Sequence, residues 1–185
     1  MLSLNYTSSN SEADLSGIIG LQKNNVSANL TSEEISSQGF VTVIHSLEDL
    51  KKMNDVELHI ICKDGEKVVA YLLAMTEKSK DDIPVLVPMF EIFNEVLFME
   101  RPVSTYKYIV VGQVCVDKDY RGMGVLDKCY EMYKNTFRGR YHFAITEIAS
   151  RNIRSINAHK RIGFNEIHKY TSPEGEDWSI VLWQW

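Results

Sequence analysis

The chain has 185 residues, of which 44% are apolar and 24% charged, and its net charge is −5. That length suits one domain with a full core, read here as residues 1–185, and is short for two. No stretch reaches the ~18 consecutive apolar residues of a membrane helix, so no membrane partner is expected, and the acidic balance argues against generic nucleic-acid binding.

The opening segment, M-L-S-L-N-Y-T-S-S-N, carries no basic stretch leading into an apolar run, so no signal peptide is expected. It reads as a strand or a loose arm. Residues 11–25 read as a helix with Leu15, Ile18 and Ile19 on one face. A loop follows over 24–29. Thr31-Ser32-Glu33-Glu34 has the form of a helix start, with a hydroxyl to cap free amides and carboxylates at the positive end. The run F-V-T-V-I over 40–44 reads as a short strand, and 47–53 as a helical turn opened by Ser46.

A hairpin is expected next, from β-rich runs over 57–62 and 68–75 around Lys63-Asp64-Gly65-Glu66. Residues 76–88 are polar and interrupted by proline, and read as a loop. A short helix over 89–96 is stopped by Arg101-Pro102. Residues 106–116 form a long strand ending in V-C-V. Val125, Leu126, Cys129, Met132, Tyr133 and Phe137 fall at helical spacing over 125–137. A strand over 142–149, a helix over 152–162 and two strands over 164–170 and 178–185, joined at Ser172-Pro173-Glu174-Gly175, complete a mixed α/β layered fold. The last strand, W-S-I-V-L-W-Q-W, reads as rich in edge positions, and a homodimer through it is one arrangement that such an edge allows.

The three cysteines, Cys62, Cys115 and Cys129, show no C-x-x-C spacing and read as reduced thiols of a cytoplasmic protein, not as metal ligands or staples. Charge is unevenly spread: residues 117–161 hold ten Lys/Arg against five Asp/Glu, so the remainder carries −10. Such asymmetry suits an anionic ligand as well as an ordinary solvated helix surface. Arg121-Gly122-Met123-Gly124 lies within that basic region, between a strand and a helix. The first amides of a helix lack intrahelical partners, the helix dipole adds positive charge, and the glycines let the backbone approach a phosphate. Asp127 stands where the dinucleotide fingerprint wants a third glycine, and no Gly-Lys-Ser/Thr follows at P-loop spacing.

The segment Y-R-G-M-G-V resembles the acetyl-CoA motif Arg/Gln-x-x-Gly-x-Gly/Ala of the GNAT N-acetyltransferases, with Arg121 and Gly124 matching and Leu126 standing in place of the final Gly/Ala. R-N-I-R-S-I-N-A-H-K-R-I-G-F is similar to a later motif of that family. Asn152 and Gly163-Phe164 match it, and His159 stands where the family usually has tyrosine. The resemblance covers about residues 108–164. It implies a GNAT fold of the α/β (α+β) class, with a mixed, mostly antiparallel sheet of about six to seven strands and helices on both faces.

The resemblance also implies an acetyl-CoA-dependent N-acetyltransferase, with acetyl-CoA as co-substrate. The backbone of Val114, Cys115 and Val116 would pair with the pantetheine arm. The loop of Arg121, Gly122, Met123, Gly124, Val125 and Leu126 would hold the pyrophosphate, and Asn152 would bond the pantetheine. His159 is a candidate proton donor or a core histidine, and Glu147 a candidate base or an ion-pair partner. Val110 occupies the position at which some family members carry a glutamate base. Gln113 could orient substrate or water, and Cys115 reads as packing. The acceptor is expected over the N-terminal half and residues 76–106, where Phe90, Phe93, Phe98 and Tyr106 accompany Glu91, Glu95 and Glu100; these suit a cationic amine or merely cap the core. A small-molecule, amino-acid-like amine is the expected partner. A non-catalytic coenzyme A-binding module is the competing reading.

Overall fold

The computed structural model describes residues 3–80, 83 and 87–185, apart from the side chains of residues 36 and 37. A seven-stranded sheet runs in the order β1-β2-β3-β6-β7-β9-β8. Its strands are β1 (Leu4–Ser8), β2 (Ile60–Asp64), β3 (Lys67–Met75), β6 (Tyr108–Val116), β7 (Phe143–Ala149), β8 (Asn165–Thr171) and β9 (Asp177–Gln184). β4 (Leu97–Phe98) and β5 (Arg101–Pro102) form a separate small hairpin. All neighbours in the large sheet are antiparallel except β6 and β7.

The helices are α1 (Glu12–Asn25), α2 (Ser32–Gln38), α3 (Leu47–Val56), α4 (Val87–Ile92), α5 (Val125–Phe137) and α6 (Ile153–Ile162). Strand alternation divides the core in two. Tyr71, Leu73 and Met75 of β3 join Leu15, Ile18 and Leu21 of α1 and Leu50 and Met53 of α3. Ala70, Leu72 and Ala74 face the other way, toward Val125, Cys129, Tyr130, Tyr133 and Phe137 of α5. The hairpin expected around Asp64-Gly65 is present, with Gly65 at φ 57°. Thr31 and Ser46 open their helices through reciprocal bonds with Glu34 and Asp49.

Two sequence expectations are corrected. Residues 40–44 are not a strand; Val41 makes a single parallel bridge to Val26. β9 is not an edge, because it pairs with β7 on one side and β8 on the other, so a dimer through its edge has no free ladder to use. Part of the loop expected over 76–88 lies outside the described residues, and the segment 77–80 is a short 3-10 turn. The three cysteines are free and buried. Among the described residues, no helix is long and apolar enough to cross a membrane.

Candidate active site

The site begins where β6 and β7 part. Their parallel ladder covers only Tyr108–Val110 against Phe143–Ile145. Beyond it, β6 runs on to Val116 paired with β3 alone, and β7 runs on to Ala149 paired with β9 alone. The Thr146 hydroxyl donates to the Val111 carbonyl at 2.7 Å, at the point of divergence. A cavity of about 880 Å³ opens there, lined by Val114–Val116, the loop from Tyr120 into α5, the start of α6 and residues 38–41.

The start of α5 differs from those of α1, α2, α3 and α6. Ser11, Thr31, Ser46 and Asn152 cap α1, α2, α3 and α6 with their side chains. α5 begins at Gly124, in the left-handed region at φ 75°, with no side-chain cap. Its first amides are therefore presented to the cavity, at the positive end of the helix dipole. Gly122 is also left-handed, at φ 77°, and a Cβ at either glycine would meet nothing within 4 Å. Backbone conformation, not crowding by the protein, calls for glycine at both.

Of the ten positions expected to hold coenzyme A, all but Met123 line this cavity; the Met123 side chain is 52% exposed. The fit to coenzyme A rests on the uncapped helix start, which suits a pyrophosphate, and on the β6 edge that β7 leaves free, which suits the amides of pantetheine. Leu126 lines the cavity and also packs on the α5 side of the core. Arg161 lines it as well and is ion-paired with Asp127 across α5 and α6.

Two expected ligands have further duties. The Arg121 guanidinium donates to the Val116 carbonyl at 3.0 Å, to Gln38 Oε1 at 2.8 Å and to Asn25 Oδ1 at 2.7 Å. Asn152 donates to the Phe40 carbonyl at 3.0 Å and accepts from the Ser155 amide. Sequence reading missed residues 38–41 as a cavity wall; the positive φ of Gly39, at 73°, leaves only a lone glycine as its trace in the sequence.

His159 lies against the cavity at 2% exposure. Its Nδ1 contacts the Ser155 carbonyl at 2.8 Å and its Nε2 the Tyr130 hydroxyl at 2.6 Å. A carbonyl only accepts, so Nδ1 carries the proton and Nε2 accepts from Tyr130. Burial pulls the imidazole down to about 4, so it is neutral at pH 7. Cys115 is buried too, and burial pushes its thiol up to about 12, far from a nucleophile's range.

Glu147 is half-buried on the opposite face of the sheet, with Phe143 and Ile145. Burial pushes it up to about 7, against the hydrogen bond it accepts from the Tyr170 hydroxyl at 2.5 Å. Gln113 is held on both sides, accepting from Tyr71 at 2.6 Å and donating to the Val43 carbonyl at 2.9 Å. The aromatics of 90–106 pack inward: Phe93 sits edge-on to Tyr108, and Phe98 and Tyr106 pack against Phe143. Phe90 and Phe93 are buried, whereas Glu91, Glu95 and Glu100 are exposed.

A protein-family model described as the acetyltransferase (GNAT) family matches residues 28–164. Comparison with curated proteins returned no match. Among solved structures, the chain is similar to the ribosomal-protein-S18-alanine N-acetyltransferase from Escherichia coli, at 15% identity and TM-score 0.62, over 98% of this chain and 93% of that one. It is similar to yncA from Salmonella typhimurium with its cofactor acetyl-CoA, at 13% identity and TM-score 0.60, over 98% and 94%. It is also similar to a spermidine N-acetyltransferase SpeG chimera from Vibrio cholerae and hSSAT, at 11% identity and TM-score 0.58, over 98% and 95%. At identities this low the likeness is one of fold.

Proposed function

The chain belongs to the GNAT acetyltransferase family, and on that premise we propose that it transfers acetyl from acetyl-CoA directly to the primary amine of a small-molecule or amino-acid-like acceptor. The observation that carries this reading is the uncapped start of α5 beside the cleft between β6 and β7. The amides of Gly122, Met123, Gly124, Val125 and Leu126 are assigned to the pyrophosphate. The backbone of Val114, Cys115 and Val116 and the side chain of Asn152 are assigned to the pantetheine. Acetyl-CoA supplies the activated thioester.

Direct transfer needs a neutral amine at the thioester. Glu147 is assigned as the base. At about 7 it is poised to take a proton near neutral pH, and it stands on the sheet face opposite α5 and α6. Tyr170 holds its carboxylate in place. His159 is assigned to positioning, since both its nitrogens are engaged in buried bonds that tie α6 to Tyr130 of α5. The whole chain is read as one such domain. Its three buried free thiols fit a reducing, cytoplasmic compartment.

The structural neighbours act on both proteins and polyamines by name, so the test uses both classes. Acetyl-CoA would be incubated with polyamines, amino acids and short peptides, and thiol release followed. Turnover is expected with a small amine, and Glu147→Gln should lower it ~10²–10⁴-fold. Turnover on peptides alone would overturn the acceptor class. Tight coenzyme A binding with no turnover on any amine would leave a non-catalytic binding module.

A further inference from the structure

Residues 38–43 form a strap that starts on the coenzyme side of the cleft and ends on the acceptor side. Gln38, Gly39, Phe40 and Val41 line the cavity. Beyond them, the Val43 carbonyl holds Gln113 of β6, whose other partner, Tyr71, belongs to the opposite face. Apart from the bridge between Val26 and Val41, no regular structure holds 39–46. The strap is fastened instead by separate contacts. Arg121 grips Gln38 and the end of α1 at Asn25. Asn152 grips the Phe40 carbonyl, and the Arg151 guanidinium lies 4.3 Å from the centre of the Phe40 ring. Val41 donates to the Asn25 carbonyl and accepts from the Ser27 amide. Gly39 passes so close to Asn152 that a Cβ would lie 3.1 Å from its Oδ1.

Arg121 and Asn152 thus belong to two structures at once. Arg121 immediately precedes the uncapped glycine loop and also bonds the carbonyl of Val116, on the strand edge assigned to pantetheine. Asn152 spends one N–H on Phe40, and a primary amide has a second to offer. A ligand seated against Val116, Asn152 and the strap wall favours the docked strap over any looser arrangement. A docked strap in turn fixes Gln113 on the acceptor face. By linkage, whatever the first ligand does for the second, the second does for the first.

We propose that the strap 38–43 couples the two halves of the site, with Arg121 and Asn152 as the positioning residues that fasten it, so that coenzyme A and the acceptor amine bind with positive cooperativity. This rests on the coenzyme A site proposed above. The test is hydrogen exchange of the full chain, with and without saturating coenzyme A, alongside binding calorimetry. In the parent protein, coenzyme A should slow exchange at amides 39–43 by on the order of tenfold. In Gln38→Ala, at an exposed position, coenzyme A should still bind but the slowing should vanish. For any amine that the parent acetylates, Gln38→Ala should raise its KM far more than it lowers kcat, a split that general loosening of the fold does not produce. Binding heat without slower exchange at 39–43 would overturn the coupling alone, as would identical slowing in Gln38→Ala. The absence of binding heat in the parent would sink the coenzyme A site itself.

Discussion

Two titratable side chains, the half-buried Glu147 and the buried His159, push the molecule in opposite directions as pH changes. Glu147 is raised to about 7, so the folded protein holds a proton that the unfolded chain has released. Its contribution to stability is therefore present at low pH and is lost as pH rises from the ordinary carboxylate range through about 7. As the assigned base it works only when ionised. The acid limb of kcat/KM should follow a group near 7 and disappear in Glu147→Gln, whose activity should fall ~10²–10⁴-fold while coenzyme A affinity holds. Tyr170→Phe removes a hydrogen bond that favours the charged form, so the limb should move to higher pH. A limb that stays in place in both variants would remove Glu147 from the mechanism. His159 is lowered to about 4, so here the unfolded chain binds the extra proton. Its contribution is complete above about 6.5 and is lost as pH falls toward 4, amounting to about 2 kcal/mol between pH 7 and pH 5. His59, also buried and lowered to about 4, acts with the same sign. Urea unfolding of His159→Gln at the two pH values should show a smaller acid loss than the parent. His159→Ala, which strips the Tyr130 hydroxyl of its partner, should cost ~2–4 kcal/mol at pH 7.

At the scale of elements, α5 and its entry loop carry the clearest prediction. Gly124 sits at φ 75° with open space around it, so Gly124→Ala meets only the backbone penalty, ~1–2 kcal/mol of stability. If the loop relaxes to avoid that penalty, its amides turn away from the cavity, and calorimetry should find coenzyme A affinity reduced at least tenfold. Gly139→Ala, equally open and without positive φ, should change neither quantity. α5 was legible because its signals agree: glycines for a left-handed entry, then apolar residues at helical spacing. The hairpin at Gly65 was legible for the same local reason. The run over 40–44 misled because β-branched residues describe a side chain's fit to a sheet and say nothing of whether a partner edge is within reach. The last strand was misplaced at an edge, although Ser179, Ile180, Val181 and Leu182 are buried on both of its faces, as suits an interior strand. The cofactor motif gave the identity of Arg121 and Asn152 and not their partners. Gln38 lies 83 positions from Arg121 and Phe40 lies 112 from Asn152, separations at which no local pattern speaks.

On the scale of the whole molecule, the uneven charge decides how coenzyme A should bind. The net charge of −5 opposes a polyanion at long range, whereas Arg121, Arg154 and Arg161 line the cavity against the single carboxylate of Asp127. Salt screens exposed charges beyond about 10 Å at 0.1 M and about 3 Å at 1 M, so it removes the distant repulsion before it weakens contact with the helix amides and Arg161. Coenzyme A at a hundred times its Kd should stabilise the fold by ~2.7 kcal/mol, a rise in Tm of roughly 5–10 °C for a chain of this size. At a fixed coenzyme A concentration that rise should grow slightly between low salt and 0.1 M, as the distant repulsion is screened, and fall toward 1 M. Pantetheine, which lacks the phosphates, should give a smaller rise with no salt dependence. Equal shifts from the two ligands at every salt concentration would mean that the start of α5 holds no phosphate and that the cavity recognises only the pantetheine arm.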